Sequence, residues 1–298
     1  MNVRKEFISL KKVKVICPDG FPYHAYDAKG QVTPWSIIRM VDFSRNIAFS
    51  NSPTADPPQQ SFLDVVRLTE EFLLFTAATS TSISPNLYDS GTKKGPLELH
   101  LELDNVGNTS YCIKTLFFLG DQDRPVIENE TQMVMVDFNL KRPSPPPDWW
   151  REKYSAGGLE TGKGLRLPRA VPPESGVLSH YQVKIAASDL DIYLHTNWAN
   201  YLKFCYDAFV DYKFHQVHQV HQHGRESIQD AFRKTRRFAL RFMHETSLGD
   251  ALDVTLWKDS GNPDLYMFQV LKQAEDLCEA QVEFYPDEDD DDEVAPKN

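Results

Sequence analysis

The sequence predicts an α+β fold made of two copies of one unit, each a long central helix wrapped by an antiparallel β-sheet. Three observations lead there. A strand–helix–four-strand order is readable twice along the 298 residues. Short polar breaks separate the last four alternating runs of the second copy, as between antiparallel neighbours. A Pro- and Gly-rich stretch lies between the copies.

The first copy opens with an extended stretch that reaches Tyr26. A helix follows at about 34–49, PWSIIRMVDFSRNIAF, with Thr33 as its N-cap and Pro34 in its first position. Strands are expected near 70–79, 97–104, 109–119 and 129–140. In PLELHLELD the residues Leu97, Leu99, Leu101 and Leu103 share one face, the period of a half-buried strand. Pro, Gly and Asn content makes 51–60 and 84–96 loops.

Residues 141–176 hold PSPPPDWW, several glycines and a second Pro-Pro pair, so they read as a connector lying over the surface. The first unit is therefore placed at 1–150, the linker at 151–176 and the second unit at 177–286.

The second copy begins with LSHYQVKIAA (178–187), where Tyr181, Val183, Ile185 and Ala187 alternate with polar residues. At 197–214 the period turns helical. Trp198, Tyr201, Leu202, Cys205, Ala208, Phe209 and Tyr212 form a broad apolar stripe. Alternating runs follow at 236–246, 251–259, 264–273 and 277–285. A helix so apolar needs more cover than one sheet supplies. Two units joined edge to edge make a longer sheet and hide one exposed edge of each.

Composition narrows the function classes. The apolar share of 41%, with 12% aromatic, lets each half build a core. No apolar run reaches membrane-spanning length, and the N-terminal stretch lacks a signal-peptide core. The net charge is −11, but 287–298 carries seven acidic residues and one lysine, or −6, leaving −5 elsewhere. That acidic tail is expected to be disordered and solubilising. No basic nucleic-acid surface is evident. Cys17, Cys112, Cys205 and Cys278 are far apart, which suits small core residues in a reduced, cytoplasmic protein. HQVHQVHQHG (215–224) is repetitive and lacks carboxylates, so it is expected to be a solvated helix extension, not a metal site. No metal and no cofactor is expected; homo-oligomerisation stays open.

One stretch carries a family resemblance. DLDIYLHTNWANYLKF (189–204), after a strand and opening a long helix, resembles the D-x-x-x-H-x-N-x-x-x-Y signature of hotdog-fold thioesterases through Asp191, His195, Asn197 and Tyr201. It is most similar to the acyl-ACP thioesterases and the 4-hydroxybenzoyl-CoA thioesterase group. LRFMHETSLGD (240–250) resembles the strand on which acyl-ACP thioesterases keep a catalytic glutamate, and Glu245 falls on that position. YDAKGQVTPWSIIRMVDFSR (26–45) resembles a degenerate copy of the junction: Asp27 and Gly30 match, and Gln31 replaces the histidine. Tyr193 stands where acyl-ACP thioesterases have Asn. The resemblance implies a tandem double hotdog that hydrolyses acyl-CoA or acyl-carrier-protein thioesters.

The chemistry fits those residue types. A helix N-terminus offers backbone N–H groups and a positive dipole end to a developing oxyanion. Asp191 would attack the thioester carbonyl or act as general base for water. His195 would orient the thioester or hold the junction; Glu245 would orient the water or share the proton. Asn197, Tyr193 and Tyr201 are candidate substrate-binding residues, with helix capping the simpler role for Asn197 and core packing for Tyr201. Asp27 marks a second site or only a turn. RKTRR (233–237) and Arg241 would meet carrier phosphates or protect a charged strand edge. Two other functions fit the same pattern. One is a double-hotdog dehydratase of 3-hydroxyacyl thioesters, needing His24 near Gly30 and Pro34. The other is a non-catalytic acyl-binding hotdog protein.

Overall fold

The computed structural model describes residues 3–50, 61–120, 122–155, 164–220 and 231–286, with side chains described outside 217–220. The acidic tail and His221 and His223 therefore lie outside the described residues. The first unit contains β1 (Arg4–Ser9), β2 (Lys12–Cys17), α1 (Pro34–Phe49), α2 (Val65–Leu68), β3 (Phe72–Ile83), β4 (Leu97–Val106), β5 (Ser110–Leu119) and β6 (Ile127–Asp137). After α3 (Asp148–Ser155) come β7 (Val177–Lys184), α4 (Trp198–Val220), β8 (Thr235–Phe242), β9 (Ala251–Lys258), β10 (Leu265–Lys272) and β11 (Glu275–Phe284).

All eleven strands form one antiparallel sheet in the order β1-β2-β4-β5-β6-β3-β8-β11-β10-β9-β7. From the centre outward each half repeats the same connectivity. β3, β6, β5, β4 and β2 match β8, β11, β10, β9 and β7. The halves meet where β3 pairs with β8, Ala78–Ser82 against Arg241–Arg237, with Ser80 opposite Ala239. The joined sheet is thus the double-hotdog arrangement, and the pairing removes one open edge from each half. α1 and α4 pack on one another over one face, where the Trp35 and Tyr206 rings meet edge to face at 5.3 Å.

The inward positions follow the period-2 pattern. Leu97, Leu99, Leu101 and Leu103 are all buried. The inner face of β3, β5 and β6 also carries polar side chains. Buried Asn129 donates to the hydroxyls of Thr79 and Thr81 (2.8 and 2.9 Å) and accepts from Thr131 (2.9 Å). A buried amide is tolerated here because its bonds are made. All four cysteines are buried and free. Burial pushes the Cys17 and Cys112 thiols up to about 11, so neither is a reactive thiolate.

Four expectations need correction. The leading extended stretch is a hairpin, β1 with β2, followed by a short turn of 3-10 helix at Tyr23–Ala25. β1 adds an edge strand with no counterpart among the described residues of the second half. Thr33 does sit at the N-cap of α1 with extended backbone, but its hydroxyl donates to Ser36 Oγ instead of capping an amide. The connector does not simply cross the surface: α3 forms within it, and Trp150 and Tyr154 are buried. Aromatic rings recruited into a core make a Pro-flanked segment part of the unit it leaves. Finally, β8 is a central strand, so its basic residues guard no edge. Arg233 pairs with Asp264, Arg236 with Glu283 and Arg241 with Glu279.

Candidate functional site

The site is built on a tight turn between β7 and α4. Asp191 N–H donates to His195 O (2.8 Å), and Leu194 N–H donates to Asp191 O (3.1 Å). The Asp191 Oδ1 atom accepts from the backbone N–H of Tyr193 (2.8 Å) and His195 (3.3 Å). An aspartate suits this place because its short carboxylate reaches amides two and four residues on. Among the described residues Oδ2 takes no hydrogen bond. One oxygen anchors the side chain and the other has no protein partner among the described residues.

His195 follows from the same turn. Its Nδ1 lies 2.8 Å from Glu245 Oε2, with the histidine side chain 37% and the glutamate 58% exposed. The pair fixes the imidazole orientation while leaving it open to solvent. The segment after β8 carries Glu245 and is tied down by Thr196 N–H donating to Thr246 O (2.9 Å). Behind it runs a buried chain of hydroxyls: Tyr201 OH and Thr246 Oγ1 are 3.0 Å apart, and Thr246 donates to Thr196 Oγ1 at 2.7 Å. Burial pushes the Tyr201 phenol well above its ordinary value, so it stays neutral. Asn197 Oδ1 accepts from Ala199 N–H (2.9 Å) and caps α4. Asn200 is held from α1, its Oδ1 accepting from Arg39 at 2.8 Å.

Asp191, His195 and Glu245 therefore come together. Tyr193 lies in the same turn and is 69% exposed, between exposed Ile192 and Leu194. Asn197 Oδ1 and the Tyr201 hydroxyl are engaged within the protein. His24 lies exposed in the 3-10 turn of the first half. Among the described residues no group of three or more His, Cys, Asp or Glu is placed to hold a metal.

The junction has few free backbone donors. The N–H groups of His195, Thr196, Asn197, Ala199 and Asn200 are already bonded. Trp198 N–H, the first of α4, has no acceptor among the described residues. The helix end offers one donor, not a row of them.

The first half repeats the turn with other residues around it. Asp27 N–H donates to Gln31 O (2.9 Å), and Asp27 Oδ1 accepts from Lys29 and Gln31 N–H (2.8 and 2.9 Å). Burial pushes the Asp27 carboxyl above its ordinary value. The local two-fold through Ser80 and Ala239 relates Ser84 to Met243, and both donate to the strand that ends each half, at Val126 O and Leu277 O. Two residues on, Asn86 corresponds to Glu245. The aspartate is thus kept in both halves, while His195 and Glu245 face Gln31 and Asn86 in the other.

The two turns differ at one strained position. Gly30 has φ +73°, and its counterpart Leu194 has φ +63°. A left-handed residue costs a leucine about 1 kcal/mol or more and a glycine almost nothing. Leu194 is 71% exposed, so little packing opposes a change. Leu194→Gly is expected to stabilise the protein by about 0.5–1 kcal/mol in urea unfolding. A loss of stability would show that the leucine side chain is held by contacts that offset its backbone.

Sequence reading did not find Thr246, Trp198 or Arg45 as parts of this region. Thr246 and Trp198 lay within a strand end and an apolar stripe and gave no separate signal. Arg45 did give one: it shares the buried face of α1 with Ile38, Val41 and Ala48.

No protein-family model matches the chain, and no curated protein matches it in sequence. Solved structures do match in shape. The 12:0-ACP thioesterase from Umbellularia californica aligns with a TM-score of 0.66 at 11% identity, over 95% of this chain and 100% of that one. An acyl-ACP thioesterase from Bacteroides thetaiotaomicron aligns with a TM-score of 0.57 at 14% identity, over 92% of this chain and 97% of that one. At such identity the likeness establishes the tandem hotdog fold across nearly the whole chain. Among the described residues no helix is long and apolar enough to cross a membrane.

Proposed function

We propose that this protein hydrolyses acyl thioesters, carried on CoA or on an acyl-carrier protein, at the junction of β7 and α4. The observation that carries the reading is the Asp191 carboxylate, anchored through one oxygen and open at the other, beside the 2.8 Å His195–Glu245 pair. The two acyl-ACP thioesterases with this fold support it.

Each group has work that its geometry suits. With Oδ1 held by two amides, Asp191 Oδ2 is fixed in direction and needs little reorganisation to act. It either attacks the carbonyl carbon or takes a proton from the attacking water. Negative charge then grows on the carbonyl oxygen, where Trp198 N–H and the positive end of α4 stabilise it. The C–S bond breaks as the tetrahedral adduct collapses, and the departing thiolate takes a proton. His195, aligned by Glu245, is the group at hand to deliver it. In the base route Asp191 takes one proton of the water, the water oxygen ends in the acid, the thiolate takes its proton from His195, and the Asp191 proton returns to His195. In the nucleophilic route water then cleaves the acyl–Asp191 anhydride, releasing the acid, freeing the carboxylate and returning a proton to His195. Exposed Ile192, Tyr193, Leu194 and Leu248 form an apolar rim for the incoming substrate.

A panel of acyl-CoAs and acyl-carrier-protein conjugates of graded chain length tests this. Release of free thiol from at least one member is the expected result, and inertness toward every member would sink the reading. A single turnover in ¹⁸O-water then separates the routes: label entering Asp191 marks the nucleophilic one.

A further inference from the structure

A buried cation lies close to this junction, paired with a part-exposed carboxylate, Asp42. Arg45 of α1 is 4% exposed. A guanidinium brings five N–H donors. One reaches the thioether of Met133 at 3.0 Å, and another reaches Asp42 Oδ1 only at 3.4 Å, on a carboxylate one-third exposed. The guanidinium carbon sits 4.8 Å above the Trp198 ring. Around the same point two more polar groups are buried without partners, the hydroxyl of Tyr111 and Nε1 of Trp198. Tyr111 is fully buried and lies directly across the sheet from Met133. Each of these groups can donate, and the negatively charged acceptor that the structure gives the cluster is Asp42, 3.4 Å from the guanidinium and one-third exposed.

Its position ties it to the site. Trp198 opens α4 three residues after His195, and its ring packs on Phe242, three residues before Glu245. The other half provides a control. Thr33 N–H to Ala25 O and Asn197 N–H to Asp189 O are the same bond in the two units, at 2.8 Å each. That equivalence sets Pro34 against Trp198 and Phe209 against Arg45. The donor pair is replaced by two apolar residues in the half that lacks His195 and Glu245.

We propose that Arg45, Tyr111 and Trp198 form a receptor for a carboxylate on the acyl group, making short dicarboxylic acyl thioesters the substrate class. The proposal rests on the thioester reading and adds the identity of the acyl part. The carboxylate accepts a charge-assisted bond from the guanidinium, with Tyr111 and Trp198 completing its shell. A plain acyl chain of the same length leaves Tyr111 and Trp198 unmet and Arg45 with Met133 and Asp42 alone.

The test compares glutaryl- and adipoyl-CoA with valeryl- and hexanoyl-CoA on the full-length protein. Wild type is expected to favour the diacid of each pair at least tenfold in kcat/KM. Arg45→Met, which fills the space without charge, is expected to lower that ratio by roughly 10–100-fold. Equal rates for the two classes in wild type, or an unchanged ratio in Arg45→Met, would overturn the receptor. If Arg45→Met does not fold, Tyr111→Phe and Trp198→Phe each delete one donor and keep the ring. A smaller diacid preference in both supports the receptor, and an unchanged one refutes it. Calorimetric binding to an Asp191→Asn protein separates this claim from the hydrolase reading. Tighter binding of glutaryl- than valeryl-CoA, lost on adding Arg45→Met, upholds the receptor even if nothing is hydrolysed. Hydrolysis of plain acyl-CoAs with no difference in binding removes the receptor and leaves the hydrolase.

Discussion

Asp191→Asn is expected to fold like the parent and to lose a factor of about 10²–10⁴ in kcat, the usual contribution of a positioned acid–base group. The reason lies in how the carboxylate is held. Asparagine keeps an oxygen in the Oδ1 position, so the amides of Tyr193 and His195 retain their acceptor. The second oxygen becomes an NH₂ group, which neither attacks a carbonyl nor takes a proton from water. Chemistry is removed and the turn is spared, so unfolding free energy should move by no more than about 0.5 kcal/mol. Asp191→Ala removes both and should lose stability as well. Asp27→Asn is the matched control. It makes the same change in a turn whose neighbours are Gln31 and Asn86, and hydrolysis should persist. Steady-state rates and urea melts on the three variants check this. An Asp191→Asn enzyme as active as the parent would reduce the carboxylate to a turn residue in both halves.

The sequence discloses some of this site and hides the rest for identifiable reasons. Strand and helix periods repeat strongly enough that both units and their order are readable, and Leu97–Leu103 fell on the buried face as expected. The Asp191–His195 turn is legible because a local turn needs particular residues at fixed spacing. Its approach to Glu245 rests on pairing between residues fifty apart, and only family likeness suggested it. The duplication of the turn around Asp27 was visible as a degenerate motif, but its equal geometry was not. Arg45 shows the limit most clearly. A charge on an apolar helix face is noticeable, yet its neighbours come from β5, β6 and α4, and no local pattern names them. β1 was missed as a separate strand because a hairpin at a sheet edge needs little apolar alternation; only Lys5 of its six residues is buried.

Trp150→Ala is expected to be the most damaging single change to stability, at about 3–5 kcal/mol for the lost ring. Small domains hold only about 5–15 kcal/mol in all. Trp150 is fully buried, and its ring lies 5.5 Å from that of Tyr111 and 5.0 Å from that of Tyr154. Its Nε1 donates to Leu63 O at 2.8 Å. That bond holds a strained place: Leu63 and Asp64 have φ of +57° and +49° in succession. Tyr154 OH also donates to Asp64 Oδ2 (3.0 Å), and Lys153 pairs with the same carboxylate. α3 thus clamps a turn that its own residues disfavour. Trp150→Phe separates the two contributions, keeping most of the ring while leaving Leu63 O without its donor, for a cost of about 1–3 kcal/mol. Urea unfolding of both variants gives the comparison, and a Trp150→Ala loss below about 1 kcal/mol, the level of an ordinary substitution, would show that α3 merely rests on the unit. The same contacts bear on where the first unit ends. A fragment cut after Trp150 keeps the ring but strips the rest of α3, including Tyr154, whereas one ending at Ser155 keeps the clamp. The longer fragment should therefore be the more stable. Because the Trp150 ring packs at a tilt against that of Tyr111, a segment read from its prolines as a connector also braces one wall of the cluster around Arg45.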